Sequence, residues 1–161
     1  LPVLPPDCEA SAALGGLGIP LGGALYHYVS DVYESYPSTF TLMEPGAGYW
    51  LKTSSAASTD ISGESIRGRF EISLPQKWNM VGSPRDEETE LSSLYLRSGT
   101  TVKSWTEAVD AGWIGSVIYR YDTAGGGYTT AGVGRPEDAM IPAVGYWLKR
   151  YGEEELSLIF P

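Results

Sequence analysis

Two side chains in this sequence are candidates for nucleophilic or acid–base chemistry, the single cysteine Cys8 and the single histidine His27. Such a pair is reactive when the base lies within reach of the thiol and a third group orients it. Cys8 follows the segment LPVLPPD, which offers neither a helix N-terminus nor a glycine elbow. No serine lies in a G-x-S-x-G motif. The sequence therefore predicts a protein that is not an enzyme.

Acidic residues form two runs, RDEETE (85–90) and YGEEEL (151–156). Carboxylate oxygens are ligands that calcium accepts, so Asp86, Glu87 and Glu88 are weak candidates for a surface calcium site. The spacing is not that of an EF-hand, and an acidic helix N-terminus is the favoured interpretation of the first run. No other cofactor is expected. A pair of carboxylates could also hydrolyse a glycoside, which leaves a small hydrolase as the least supported alternative.

Aromatic rings are the third source of chemistry, because a ring can stack on a sugar or on a partner surface. The chain has five Trp and eleven Tyr residues. In a strand, the adjacent Tyr and Trp of a Gly-Tyr-Trp motif point to opposite faces, so one is expected in the core and the other half exposed. Packing of the Trp in the core is the structural interpretation. The candidate ligand-binding aromatics are Trp113, Trp50, Trp147, Tyr128 and Tyr36.

The motif that contains these rings occurs twice. MEPGAGYWLK (43–52) and MIPAVGYWLK (140–149) share the order of Met, Pro, Gly, Tyr, Trp, Leu and Lys. Upstream, LYHY (25–28) corresponds to IYRY (118–121), and a second aromatic follows at Tyr36 and Tyr128. Downstream, FEISLP (70–75) resembles LSLIFP (156–161). A fixed order of related segments indicates an internal repeat.

These segments are typical of strands, because aromatic and branched residues are bounded by Pro and Gly. DTAGGGY predicts a hairpin turn between Tyr121 and Tyr128. VKSWTEAVDAG predicts a short helix with Ser104 as N-cap, Glu107 as its capping-box partner and Gly112 as the stop. Residues 87–96 and 8–18 are two further candidate helices.

The predicted fold is mainly β, with one to three short helices. Two related repeats, residues 1–75 and 76–161, are expected to form a pseudo-symmetric sandwich or barrel, either as separate modules or as one intertwined domain. The second repeat opens with KWNMVGSP (77–84), and the first has no such segment. Together with the initial Leu, this predicts a processed or excised chain that begins inside a repeat.

A missing opening strand would leave a vacant sheet edge in the first repeat. The C-terminal LSLIFP is expected to fill that place. The alternative is a strand from another subunit, which would join chains head to tail into a filament or a surface layer.

The segments WNMVGSP, SWTEAVDAGWIGSVIYRYD and TLMEPGAGYWLKT resemble a repeat of exported bacterial surface proteins. That repeat has a Trp-Asn opening, a Tyr-x-Tyr strand and an L-x-PG-x-GYW closing motif. The resemblance covers most of residues 77–152 and, less completely, 1–53. It implies a β-rich extracellular or cell-surface module that accompanies enzymes, adhesins or anchors, and it implies no catalytic role.

The overall charge limits the partners. The net charge of −9 comes without a basic stripe, which excludes the usual nucleic-acid interface. No polybasic helix and no long apolar run are present, so membrane insertion is not expected. The function predicted is a non-catalytic extracellular accessory module of a secreted or surface-anchored bacterial protein. Its expected partners are polysaccharides, bound through exposed aromatics, or other surface proteins, and head-to-tail self-association is the second hypothesis.

Overall fold

A computed structural model describes residues 1–29, 31–75, 77–152 and 154–161. Its strands are short and its two α-helices are shorter than two turns. The helices are α1 (Ala10–Leu14) and α2 (Trp105–Asp110), with 3₁₀ turns at Gly15–Leu17 and Leu91–Ser93. The strands, in chain order, are β1 (Val3–Leu4), β2 (Leu25–Val29), β3 (Val32–Ser35), β4 (Tyr49–Leu51), β5 (Glu64–Ser65), β6 (Phe70–Ser73), β7 (Trp78–Gly82), β8 (Thr89–Glu90), β9 (Tyr95–Ser98), β10 (Thr101–Ser104), β11 (Ile114–Asp122), β12 (Gly127–Ala131), β13 (Ala139–Met140), β14 (Gly145–Arg150) and β15 (Ser157–Phe160).

Three sheets organise the chain. Sheet A has the strand order β12-β11-β14-β7, sheet B the order β10-β9-β15-β6, and sheet C the order β3-β2-β4. Two-stranded ribbons, β1 with β5 and β8 with β13, complete the pairing. Within the described residues none of these sheets closes into a barrel. The mainly β prediction with few short helices is therefore confirmed.

Two apolar cores support the sheets. The larger lies beneath sheets A and B and includes Trp105 of α2, which is 1 % exposed. The smaller lies between sheet C, α1 and the N-terminal residues. In β14 alternation buries every second residue, because successive side chains of a strand point to opposite faces. Buried members of the larger core include Val81, Leu94, Leu96, Ile118, Tyr146, Leu148, Leu158 and Phe160.

Helix α2 begins as its sequence predicts. Ser104 accepts the backbone N–H of Glu107, and the Glu107 carboxylate accepts the backbone N–H of Ser104 at 2.8 Å. Gly112 follows the helix with φ of 69°, a value that favours glycine. The hairpin between β11 and β12 is also as expected, with Tyr121 opposite Tyr128.

The helix expected over residues 87–96 is wrong, and so is the acidic helix N-terminus assigned to RDEETE. The segment forms β8, a 3₁₀ turn and the start of β9. Leu94 and Leu96 are fully buried and Tyr95 is exposed, which is the two-residue period of a strand. The Leu91 N–H donates to the carbonyl of Asp138, so the segment is fixed by pairing across the chain.

The closing strands of the two repeats pair with each other. Leu158 of β15 lies opposite Ile72 of β6, and β15 pairs with β9 along its other edge. LSLIFP therefore does not fill the vacant edge of sheet C, contrary to expectation. Instead, the second edge of β7 contacts the first repeat, where Ala47 lies opposite Val81. The repeats thus share sheet B and meet at β7.

The turn that precedes the Gly-Tyr-Trp motif is closed in the same way in both copies. The hydroxyl of Tyr49 accepts the backbone N–H of Glu44 at 2.8 Å, and the hydroxyl of Tyr146 accepts that of Ile141 at 3.0 Å. Each acceptor lies five residues after its donor, across a turn that begins with Pro. The Tyr of the motif therefore closes the turn that precedes its own strand.

Among the described residues, no helix has the length and hydropathy that a bilayer crossing requires.

Candidate functional site: an aromatic groove between the repeats

An open groove of about 540 Å³ lies between sheets A and C. Every side chain that lines it is aromatic and none carries a charge at neutral pH. We call this site the aromatic groove. Its lining residues are Tyr28, Tyr33, Trp78, Tyr119, Tyr128 and Trp147.

Sheet A supplies one wall through cross-strand pairs. Tyr119 of β11 lies directly opposite Trp147 of β14, and Tyr121 lies opposite Tyr128 of β12. Directly opposite residues of an antiparallel pair share a face, so these rings stand together. Tyr146, the neighbour of Trp147, points the other way and is 1 % exposed. In this copy it is thus the Tyr that packs in the core, and the Trp faces the groove.

Sheet C supplies the other wall by the same arrangement. Tyr28 of β2 lies opposite Tyr33 of β3, with ring centres 5.1 Å apart. Tyr26 lies opposite Trp50 of β4. The register makes Tyr33 the structural counterpart of Tyr128, so the sequence alignment of Tyr36 with Tyr128 does not hold in three dimensions.

The two repeats exchange aromatic contacts across the groove. Tyr28 of the first copy packs edge-to-face on Trp147 of the second, with ring centres 5.0 Å apart. Trp50 of the first copy packs in the same way on Tyr121 of the second, at 5.4 Å. Each Trp of a Gly-Tyr-Trp motif therefore contacts the second Tyr of the other copy's Tyr-x-Tyr strand. These edge-to-face contacts hold the rings in place without covering all of their surface.

Two rings at the rim remain accessible. Tyr33 is 56 % exposed and Tyr128 is 54 % exposed. Partial burial raises the pKa of Tyr33, and the neighbouring Tyr128 raises it further, so the phenol is neutral at physiological pH. The Tyr28 hydroxyl donates to Asp31 Oδ1 at 3.1 Å. The groove thus combines apolar ring faces with neutral hydroxyl groups.

Lys149 marks one end of the groove. Its Nζ lies 5.3 Å from the ring centre of Trp78 and 5.0 Å from that of Tyr151. A cation over two ring faces is stabilised electrostatically and keeps its N–H donors available. Lys149 is thus a positive charge beside the lining residue Trp78, whereas Asp31 places a carboxylate beside Tyr28.

The structure brings together three of the five aromatic candidates. Trp147 and Tyr128 line the aromatic groove, and Trp50 packs behind Tyr128 at 6.5 Å. Trp113 lies elsewhere, beneath Lys103 and against the larger core. Tyr36 packs on Phe40 in the smaller core and does not reach the groove.

Tyr28, Tyr33, Trp78, Tyr119 and Tyr121 belong to the groove or its rim and were not among the candidates. The Tyr-x-Tyr pairs were a usable signal, because they place both rings on one face of a strand. The Tyr-x-Tyr pattern alone does not show whether such a row of tyrosines lines a groove or packs in the core. Trp78 has no such signal, since its position follows from the pairing of β7 with β14.

The remaining candidates have partners of their own. Asp86 accepts a hydrogen bond from Ser65 and pairs with Arg67, which also contacts Glu87 at 3.9 Å. In the described part of the chain no group of three or more His, Cys, Asp or Glu residues is placed to hold a metal ion. Calcium binding at Asp86, Glu87 and Glu88 therefore stays a prediction.

The sulfur of Cys8 lies 3.9 Å from the carbonyl of Pro5, and the His27 ring stacks on Tyr49 with centres 4.8 Å apart. These contacts of Cys8 and His27 do not join the two side chains. No protein-family model, curated protein or solved structure matches this chain. A function for the aromatic groove therefore depends on its geometry.

Proposed function

We propose that this protein is a non-catalytic binding module that holds a polysaccharide in the aromatic groove. The observation that supports this most directly is the lining itself, six aromatic rings around an open space without a charged side chain. Sugar rings carry an apolar face of C–H groups and a rim of hydroxyls. The groove offers ring faces for the first and tyrosine hydroxyls for the second.

The neutrality of the groove favours an uncharged glycan. The chain as a whole carries a net charge of −9, which repels an anionic polymer at long range. Nothing in the lining compensates that repulsion, and Lys149 supplies a single positive charge at one end. The expected ligand is thus a neutral polysaccharide, with Lys149 donating to a hydroxyl oxygen at the groove end.

The biological setting is part of the same proposal. The resemblance to repeats of exported bacterial surface proteins favours an extracellular or cell-surface location. There the module would accompany a catalytic, adhesive or anchoring partner and keep it near the glycan. The proposal assigns no reaction to the module.

Binding is tested by affinity electrophoresis and calorimetry against a panel of soluble neutral polysaccharides. Trp147→Ala removes a ring from one wall of the groove and is expected to weaken binding about fivefold or more, since a well-packed aromatic contact contributes about 1 kcal/mol or more. Tyr33→Ala is the second variant, because its side chain is mostly exposed and its loss leaves the cores intact. Trp113→Ala is the matched control, since Trp113 lies outside the groove, and it should bind as the wild type does.

Two results would contradict the proposal. One is a folded wild-type protein that binds no polysaccharide of the panel. The other is binding that Trp147→Ala and Tyr33→Ala leave unchanged. Selective binding of a proline-rich peptide, which also docks on aromatic grooves, would assign the same site to protein recognition instead.

A further inference from the structure

Strand β6 is an edge of sheet B. Its residues Phe70 to Ser73 pair with β15 on one side, and no strand of the described chain pairs with the other side. In an antiparallel pair, hydrogen-bonding groups point alternately toward and away from the partner. The Leu74 N–H donates to Leu156 on the β15 side, so the backbone groups of Glu71 and Ser73 point outward.

The outward edge of β6 has an occupied counterpart. The pairs Ser157↔Ser73 and Ile159↔Glu71 are related by a local two-fold axis through the pair Leu158↔Ile72. This axis exchanges the two strands, which are also the corresponding closing segments of the two repeats. It carries the free edge of β6 onto the edge of β15 that β9 fills. The edge of β15 is thus filled by β9, whereas the equivalent edge of β6 is paired with no strand of the described residues.

The place is open. A cavity of about 480 Å³ adjoins β6 and is bounded on its far side by β2, β7 and the turn before β4. The cavity contains no strand of the described chain. Its wall is mostly apolar, and the residues of β6 and of its opposite side that bound it include Phe70, Ile72, Ser73, His27, Ala47 and Met80.

We propose that the free edge of β6 binds an extended segment with the sequence pattern of β9, which adds as a fifth strand to sheet B. The segment that fits is one with this pattern from a further repeat of this type. Leu96 of β9 and Leu94, which directly precedes the strand, point into the core, and Tyr95 and Arg97 point outward. An added strand of this pattern would place its leucines in the apolar cavity beneath β6.

The register of the added strand would place a basic residue opposite an acidic residue of β6. Arg97 lies opposite Ser157 in the pairing of β9 with β15. The local two-fold axis converts this pair into an arginine of the added strand opposite Glu71 of β6. Glu71 already accepts from Arg69 at 2.6 Å and from Arg97 at 2.5 Å, so an added arginine would share a carboxylate that has two cationic partners. Opposite charges at directly opposed positions stabilise a strand pair.

The test uses a fluorescein-labelled synthetic peptide with the sequence LSSLYLRSGT, residues 91–100, added to the whole chain. Fluorescence anisotropy measures binding, and hydrogen exchange followed by mass spectrometry locates it. We expect saturable binding with slowed exchange over residues 70–75. The same peptide with Leu94→Asp and Leu96→Asp should bind at least about tenfold more weakly, since two apolar anchors are lost.

The matched pair of protein variants is Ser73→Pro and Ser73→Thr. Proline removes an outward N–H and is tolerated where that group faces away from the ladder, whereas threonine keeps the donor. Ser73→Pro is expected to weaken peptide binding about tenfold through the lost edge hydrogen bond, and Ser73→Thr to retain it. Exchange protection in the wild-type chain decides the question without either variant.

The inference is overturned if the peptide does not bind, or if exchange slows elsewhere than at residues 70–75. It is also overturned if the chain alone forms a dimer that Ser73→Pro dissolves, because a second β6 would then be the occupant. None of these results depends on the aromatic groove, so the two proposals fail separately.

Discussion

The tyrosines of the repeated motif have a structural role that the adjacent tryptophans do not share. Tyr146 is buried, and its hydroxyl is the acceptor for the N–H of Ile141. Tyr49 has the same bond to Glu44, and burial raises its pKa to about 12. Alternation predicts that Tyr and Trp separate onto two faces. It does not say which is inside, because that depends on the turn that the hydroxyl closes.

Tyr146→Phe tests this role. The substitution keeps the ring and leaves the Ile141 N–H without its acceptor, so we expect a loss of about 1–3 kcal/mol in the free energy of unfolding. Urea denaturation measures the change. Tyr95→Phe is the control, since its ring is 42 % exposed, and it should unfold like the wild type. Equal stability of all three proteins would show that the bond contributes nothing measurable.

His27 gives the small core a dependence on pH. Burial lowers the pKa of His27, and the opposing effects of Glu34 and Glu44 are smaller. The unfolded chain therefore binds a proton more readily than the folded chain below about pH 6.5, and the stability contributed by neutral His27 falls as the pH drops through its folded pKa.

Urea denaturation at about pH 7.5 and about pH 5.5 should show a larger loss of stability for the wild type than for His27→Gln, which cannot titrate. Acidic groups that other contacts stabilise in ionised form, such as Glu71, contribute equally to both proteins and cancel in this comparison. Identical losses in the two proteins would exclude His27 as the source.

At the scale of elements, the sequence predicted correctly those features that depend on a few neighbouring residues. The capping box of α2 and the glycine hairpin of β11 and β12 were both readable, because each is determined by residues within a few positions. Residues 87–96 were misread because acidic residues and leucines resemble a helix start. Their strand structure depends on distant partners in β13 and β15.

One of the differences between the turns before the two Gly-Tyr-Trp strands lies at a position with a left-handed backbone. Gly46 has φ of 79° and its counterpart Ala143 has φ of 60°. An L-residue in this left-handed conformation costs about 1–2 kcal/mol, so Ala143→Gly should stabilise the protein by about 1 kcal/mol. Thermal denaturation measures the shift.

Gly46→Ala is the reciprocal change and should destabilise by more than Ala143→Gly stabilises. An added Cβ at Gly46 would lie 2.6 Å from Ile72 Cδ1, so strain and a steric clash act together. No change in melting temperature for Ala143→Gly would mean that the turn carries no strain at Ala143.

At the scale of the whole molecule, the sequence predicted two repeats but not their relation. The division into two repeats stays a prediction from the order of motifs along the chain. The meeting of β7 with the turn at Ala47 and the pairing of β6 with β15 were not accessible, because no local pattern specifies which edges of two related sheets come together. For the same reason the groove, which needs residues from both copies, was predicted only as separate rings.

The reciprocal contacts Tyr28–Trp147 and Trp50–Tyr121 couple two processes, ligand binding in the groove and the association of the two copies. A ligand bound in the groove as proposed would touch both copies, so it would bind only while they are associated. By thermodynamic reciprocity, if the association of the two copies raises the affinity for the ligand by some factor, the bound ligand raises the association constant of the copies by the same factor. A ligand bound in the groove would then hold the two copies together. A tension that pulls the copies apart would release the ligand and remove this added stability in a single step.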